Sequence, residues 1–88
     1  MQQTEVTVVN ALGLHARAAA QLVSLSSRYV SNIVLSRGDK RANGRQFIAI
    51  LLLSASFGAK VSLKIAGPDE VEAMAAVKEL ISSGFGEG

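Results

Sequence analysis

The 88-residue chain contains no cysteine, only one proline and only one histidine. The absence of cysteine excludes disulfide bonds, thiolate zinc sites and a cysteine nucleophile. A single histidine has no partner at metal-ligand spacing, so neither a metal site nor a cofactor is predicted. The low proline content and an apolar fraction of 49% argue against disorder and favour one globular domain over residues 1–88.

A strong excess of charge of one sign is also missing. Nine basic residues face seven acidic ones, which gives a formal net charge of +2. The densest basic segment, residues 37–45, contains no aromatic side chain on which a base could stack. We therefore expect no nucleic-acid partner; a basic face that meets an acidic protein fits the same charges.

Long apolar runs and export signals are absent as well. The longest apolar run, residues 47–53, is far too short to span a bilayer. The first five residues lack the basic and apolar regions of a signal peptide. The sequence predicts a cytoplasmic protein without membrane insertion.

The periodicity of the apolar residues outlines an α+β fold. Alternation of apolar and polar residues predicts strands at 5–9, 32–36, 40–43 and 61–65. Helical spacing predicts a helix over 16–29 and another that follows Asp69, the expected N-cap. The run 47–53 fits either a buried strand or a short apolar helix. With a helix there, the order is βαββαβα, a mostly antiparallel sheet with helices on one face and a flexible tail over 84–88.

The segment Gly13–Arg17 is the candidate functional site. It contains the only histidine, a glycine that permits a sharp turn, and an arginine two residues after the histidine. If a helix begins at His15, its first unpaired N–H groups and the Arg17 guanidinium converge beside the imidazole and form an anion site. An unprotonated ring nitrogen is available near neutral pH. The hypothesis is a transient phosphohistidine; the alternative is an ordinary surface or capping histidine.

The sequence Gly13-Leu14-His15-Ala16-Arg17, followed by Ala19-Ala20-Gln21-Leu22-Val23, resembles the active-site signature of the HPr family. These are the histidine-containing phosphocarriers of the bacterial phosphoenolpyruvate-dependent sugar phosphotransferase system. The similarity extends over nearly the whole chain. It implies an open-faced β-sandwich, a four-stranded antiparallel sheet covered on one face by three helices. It also favours the helix for residues 47–53.

The resemblance implies a function for His15. The imidazole would accept a phosphoryl group on Nδ1 from phospho-enzyme I and donate it to a sugar-specific enzyme IIA or IIB domain. The protein would be a monomeric, stoichiometric carrier and not a turnover enzyme on its own. Arg17, together with the backbone N–H groups of Ala16 and Arg17, would stabilise the phosphate. The residues that would contact partners are Ala16, Arg17, Ala20, Phe47, Ile48 and Leu51.

Three positions depart from the family pattern. Ala18 replaces the usual proline after the arginine, which predicts altered mobility of the first helical turn. Leu12 replaces a small polar residue that can touch the histidine or the phosphate. Gln46 stands where many Gram-positive members carry a phosphorylated serine, so that form of regulation is not expected. The alternative function, to which Leu12 also points, is a regulatory binding module of the nitrogen-related phosphotransferase branch.

Overall fold

The computed structural model describes residues 1–87, and its element order βαββαβα is the predicted one. The elements are β1 (Gln2–Thr7), α1 (Ala16–Ser26), β2 (Asn32–Arg37), β3 (Lys40–Asn43), α2 (Phe47–Leu52), β4 (Lys60–Ala66) and α3 (Glu70–Ser82). A C-terminal 3₁₀ helix over Gly84–Gly86 follows. The apolar run after β3 is therefore a helix, as the family resemblance favours.

The four strands form one antiparallel sheet in the order β1-β4-β2-β3. Because side chains alternate between the two faces of a strand, every second residue of β2 and β4 faces the core. The buried members of this set are Ile33, Leu35, Val61, Leu63 and Ile65. Burial of one face confirms the α+β, open-faced sandwich that the sequence predicts.

The helices cover the buried face of the sheet with short apolar stripes. The stripe of α1 consists of Ala18, Ala19 and Leu22, with the buried polar Ser26 at its end, and that of α3 consists of Ala73, Met74, Val77 and Ile81. In α2 only Ile50 is fully buried. In the part of the chain that the structure describes, no helix has the length and apolarity needed to cross a membrane.

Two elements end earlier than their sequence patterns predict. Strand β1 starts at Gln2 and stops at Thr7, because Thr7 is the last residue that pairs with β4. Helix α1 stops at Ser26 and does not reach residue 29. The N–H groups of Arg28 and Tyr29 donate to carbonyls only three residues back, at 3.0 and 3.3 Å, which tightens the chain into a turn.

The C-terminus differs from the flexible tail that the sequence predicts over 84–88. Phe85 lies in the 3₁₀ helix, is only 4% exposed and belongs to the hydrophobic core. Burial of an aromatic side chain stabilises this turn enough to hold Phe85 at a φ of +57°. The structure thus orders the chain as far as Glu87, and Gly88 lies outside the described residues.

Asp69 stands at the N-cap position of α3, as predicted, but its carboxylate does not cap that helix. It accepts hydrogen bonds from the backbone N–H groups of Val30 and Ser31, both at 3.0 Å, and from the Ser31 hydroxyl at 2.5 Å. These bonds join the start of α3 to the segment that leads into β2.

The Asp69 carboxylate is expected to make stability depend on pH. Its hydrogen bonds, that of the Ser31 hydroxyl first, lower the pKa of Asp69. Because the folded pKa lies below the unfolded one, the stabilisation is complete above about pH 4 and disappears as pH falls through the folded pKa. Urea unfolding should therefore show a smaller acid-induced loss of stability in Asp69→Asn than in the wild type. Asp39→Asn, in the exposed β2–β3 turn, is the control, and equal acid sensitivity of all three proteins would contradict the prediction.

Candidate functional site

His15 is the N-cap residue of α1. Its backbone is extended, with φ −78° and ψ −178°, and its carbonyl oxygen accepts a hydrogen bond from the N–H of Ala19 at 2.9 Å. The His15 side chain makes no capping bond to the helix. The N–H groups of the first turn, at residues 16–18, have no partner within the helix. The imidazole therefore stands beside donors that remain free to bind an anion.

Gly13 brings a second loop close to His15. Its φ is +65°, and a Cβ at this position would lie 2.5 Å from the Ala55 carbonyl oxygen and 2.8 Å from the Ser56 Cα atom. The next residue, Leu14, donates its N–H to the same Ala55 oxygen at 2.9 Å. A side chain is excluded by both the backbone conformation and the available space. Glycine is thus required for this approach of the two loops.

The two loops enclose a shallow depression of about 180 Å³ beside the imidazole. Its lining residues are Leu12, Leu14, His15, Ser54, Ala55 and Ser56. Ser54 adopts the left-handed conformation at φ +54°, which is uncommon for residues other than glycine. Within residues 1–87, no three His, Cys, Asp or Glu side chains are grouped so that they could hold a metal ion.

The C-terminal segment supplies the hydrogen-bond partner of the imidazole. The Glu87 Oε2 atom pairs with His15 Nε2, and Glu87 Oε1 accepts a hydrogen bond from Asn10 Nδ2 at 3.0 Å. Asn10 is 4% exposed, and its Nδ2 also donates to the Gly13 carbonyl oxygen at 2.7 Å. Asn10, Glu87 and His15 thus form a hydrogen-bonded chain that leaves the other ring nitrogen, Nδ1, without a hydrogen bond to the described residues.

Hydrogen bonds from Asn10 and then from His15 lower the pKa of Glu87, and the nearby positive charges of protonated His15 and of Arg17 act in the same direction. The carboxylate is consequently ionised at neutral pH and can only accept hydrogen bonds. Nε2 must then be the donor in its bond to Glu87. In the neutral ring this arrangement puts the lone pair on Nδ1.

The predicted site residues of α1 are all accessible. Ala16, Arg17 and Ala20 are exposed, whereas the His15 side chain is 25% exposed because Glu87 lies against it. Among residues 1–87 the Arg17 guanidinium forms no ion pair. The structure therefore leaves this charge at the rim of the site, beside Glu87.

The predicted docking residues of α2 differ in exposure. Phe47 is 36% and Ile48 is 62% exposed, as expected for a contact surface. Leu51 is partly buried and packs against the core, so it offers less accessible surface than Phe47 or Ile48, and its contact with partners stays a prediction. Leu52, which the sequence analysis did not single out, is 66% exposed. The short helix rotates Leu51 towards the sheet and Leu52 towards the surface.

Asn10 and Glu87 contact the site although no sequence prediction of the site includes them. Asn10 belongs to a predicted loop and Glu87 to a predicted flexible tail, and no local pattern marks either one. They lie five residues before and 72 residues after His15. The one available signal is Phe85, an apolar residue near the C-terminus that a freely solvated tail would not need.

The three departures from the family pattern occupy different environments. Ala18 is completely buried in the first turn of α1, and Leu12 is 66% exposed at the depression beside His15. Gln46 is the exposed N-cap residue of α2, and its Oε1 accepts a hydrogen bond from the Asn43 N–H at 3.2 Å. Glutamine thus makes a local turn contact at this N-cap position.

Comparisons with known proteins agree with this geometry. Residues 2–83 match a family model described as "PTS HPr component phosphorylation site". The chain is 42% identical over 88 residues to the phosphocarrier protein HPr of Cupriavidus necator, with 100% of this chain and 99% of the relative covered. It is similar to a crystal structure of HPr-C-His from Thermoanaerobacter tengcongensis, at 38% identity, a TM-score of 0.95 and coverage of 100% and 99%. An HPr dimer structure from the same organism is also similar, at 38% identity, a TM-score of 0.78 and coverage of 99% and 100%.

Proposed function

Because the chain belongs to the HPr family of phosphocarrier proteins of the phosphotransferase system, we propose that His15 accepts a phosphoryl group on Nδ1 from phospho-enzyme I. It then donates this group to sugar-specific enzyme IIA or IIB proteins for sugar uptake. The observation that carries the proposal is the position of the only histidine. Its Nε2 is engaged by Glu87, and within residues 1–87 its Nδ1 makes no hydrogen bond, beside the unpaired N–H groups at the start of α1.

The chemistry requires a nucleophile, positioning and charge stabilisation. The Nδ1 lone pair attacks phosphorus, the P–N bond forms, and the electron pair of the donor's bond leaves with the donor. The backbone N–H groups of Ala16 and Arg17 and the Arg17 guanidinium stabilise the phosphoryl oxygens. A charge-assisted hydrogen bond of this kind contributes about 1.5–3 kcal/mol. In the donation step the nucleophile of the next protein attacks the phosphorus, the P–N bond breaks, and its electron pair returns to Nδ1.

Partner proteins would dock on the exposed apolar residues of α2 and on the start of α1. Phe47 and Ile48 on α2 form the centre of this surface, with the edge of Leu51 beside them. Ala16, Arg17 and Ala20 on α1 form its rim. Helices α1 and α2 contact each other, which supports a docking surface that includes residues of both. Two different enzymes must reach His15 in turn, which favours a monomeric carrier in the cytoplasm, where these partners act.

The direct test is phosphorylation by enzyme I and labelled phosphoenolpyruvate. We expect one phosphoryl group per chain, released by acid and stable in alkali, as a phosphohistidine requires. Absence of this label would overturn the proposal. The role in sugar uptake is tested by expressing the protein in a bacterial strain that lacks its own carrier and measuring sugar uptake. A protein that is phosphorylated normally but does not restore sugar uptake would contradict the role in sugar transport.

Ile48→Asp is expected to weaken binding to enzyme I by about tenfold or more. A charge replaces an apolar contact whose loss costs about 1–2 kcal/mol of binding free energy. The variant's melting temperature should change little, since Ile48 is 62% exposed. Isothermal titration calorimetry measures the affinity. Val71→Asp is the matched control, because Val71 is 61% exposed on α3. Equal affinities of the two variants would place the docking surface elsewhere.

A further inference from the structure

The loop before α1 and the C-terminal segment meet at the imidazole through a single carboxylate. Glu87 bonds Asn10 with one oxygen and His15 Nε2 with the other. Its side chain is only 14% exposed. The backbone around it is held in place by burial of Phe85 and by the hydrogen bond from the Glu87 N–H to the Gly84 carbonyl oxygen, at 3.0 Å. Glu87 is therefore a positioned group and not a solvated surface charge.

The charges around the ring come from few residues. Glu87 is the carboxylate in contact with the imidazole, and Arg17 on α1 is the nearby cation that acts on Glu87. The loop on the opposite side contributes Ser54, Ala55 and Ser56, none of which titrates in the accessible range. The electrostatic environment of Nε2 is thus set by one anion at hydrogen-bond distance.

We propose that Glu87 is a positioning residue for phosphoryl transfer, which holds the proton on Nε2 and stabilises the positive charge that the ring gains when Nδ1 is phosphorylated. This inference rests on the proposed function of His15. Asn10 supports the same arrangement, since its amide fixes the second carboxylate oxygen.

The charge balance of the step explains the role. Before transfer the ring is neutral, with the proton on Nε2 and the lone pair on Nδ1. When Nδ1 forms the P–N bond, the ring keeps the Nε2 proton and becomes cationic, opposite the Glu87 anion. On donation the P–N bond breaks, its electron pair returns to Nδ1, and the ring is neutral again. Without the carboxylate, the phosphorylated ring loses the Nε2 proton to water more readily. The deprotonated ring would have to leave as an imidazolate anion, which is a poorer leaving group than neutral imidazole.

Glu87→Gln tests the charge, because glutamine keeps the shape and one acceptor oxygen. Wild-type and variant proteins are phosphorylated by enzyme I, purified, and followed for hydrolysis of the phosphohistidine between pH 5 and 9. We expect the pH at which the hydrolysis rate is half-maximal to lie about one unit lower in the variant than in the wild type. At pH 8 its phosphohistidine should then persist about tenfold longer. Glu72→Gln, at an exposed position of α3, is the control and should follow the wild-type profile.

Superimposable pH profiles of wild type and Glu87→Gln would overturn the proposal. A second measurement uses the unphosphorylated protein: nitrogen-15 NMR should show the proton on Nε2 in a hydrogen bond, and Glu87→Ala should lose this signal. An Nδ1-protonated ring in the wild type would also overturn the proposal. If the wild type takes no phosphate from enzyme I, the function proposed for His15 fails, whereas the NMR result still decides whether Glu87 holds the ring.

Discussion

Replacing His15 with alanine is expected to abolish phosphoryl acceptance from phospho-enzyme I, because the chain contains no other histidine and no cysteine. No acid-labile phosphate should be recovered after incubation with labelled phosphoenolpyruvate. The fold should persist, since the His15 side chain is partly exposed and, within residues 1–87, bonds only Glu87. Circular dichroism and thermal unfolding check this point.

Arg17→Ala provides the comparison for the loss of His15. The guanidinium is exposed and unpaired among residues 1–87, so its removal leaves the nucleophile and the fold in place. Loss of one charge-assisted contact to the phosphate should slow transfer by about tenfold to a hundredfold. Wild-type labelling of His15→Ala would contradict the assignment of His15 as acceptor, and unchanged transfer rates in Arg17→Ala would contradict that of Arg17.

Gly13→Ala is expected to have the largest effect on stability. The residue has a φ of +65°, and the added Cβ would meet the backbone of Ala55 and Ser56 at 2.5 and 2.8 Å. The left-handed conformation costs about 1–2 kcal/mol for residues other than glycine. Forcing the backbone apart costs about 1–3 kcal/mol more. We therefore expect a decrease in the free energy of unfolding of about 3 kcal/mol and a melting temperature lower by at least about 10 °C.

Gly38→Ala separates the two contributions to this effect. Gly38 has a similar φ of +61°, but a Cβ there would meet nothing within 4 Å. Its substitution should cost only the conformational contribution, about 1–2 kcal/mol. Urea unfolding measures both variants. Equal losses of stability would show that the close approach of Gly13 to the loop at 54–56 does not contribute.

Local sequence patterns predict most of the fold because they record which face of each element is buried. The alternation Val61-Ser62-Leu63-Lys64-Ile65 predicts β4, and the spacing of Ala73, Val77 and Ile81 predicts α3. The run Phe47–Leu53 is different, since an apolar segment without periodicity fits a strand or a helix equally well. The family resemblance favoured the helix, and the structure confirms it.

Element ends and degrees of exposure depend on neighbours in space. Strand β1 stops where its pairing with β4 ends, and Leu51 turns towards the core because of how α2 lies on the sheet. The carboxylate of Asp69 accepts hydrogen bonds from Ser31 and does not cap its own helix, α3. In each case a contact with another element determines the outcome, and the local sequence pattern does not contain that contact.

The sequence by itself determined the order of strands and helices, the family, and the choice of His15 as the candidate phosphoryl acceptor. Each of these depends on residues that are near one another along the chain. Only the tertiary structure decided that Asn10 and Glu87, which are 77 residues apart, meet at the imidazole. That meeting requires α3 to pack beside β1 and Phe85 to enter the core, so that the C-terminus returns to the start of α1. Periodicity records the buried face of an element, but it does not record which distant element covers that face.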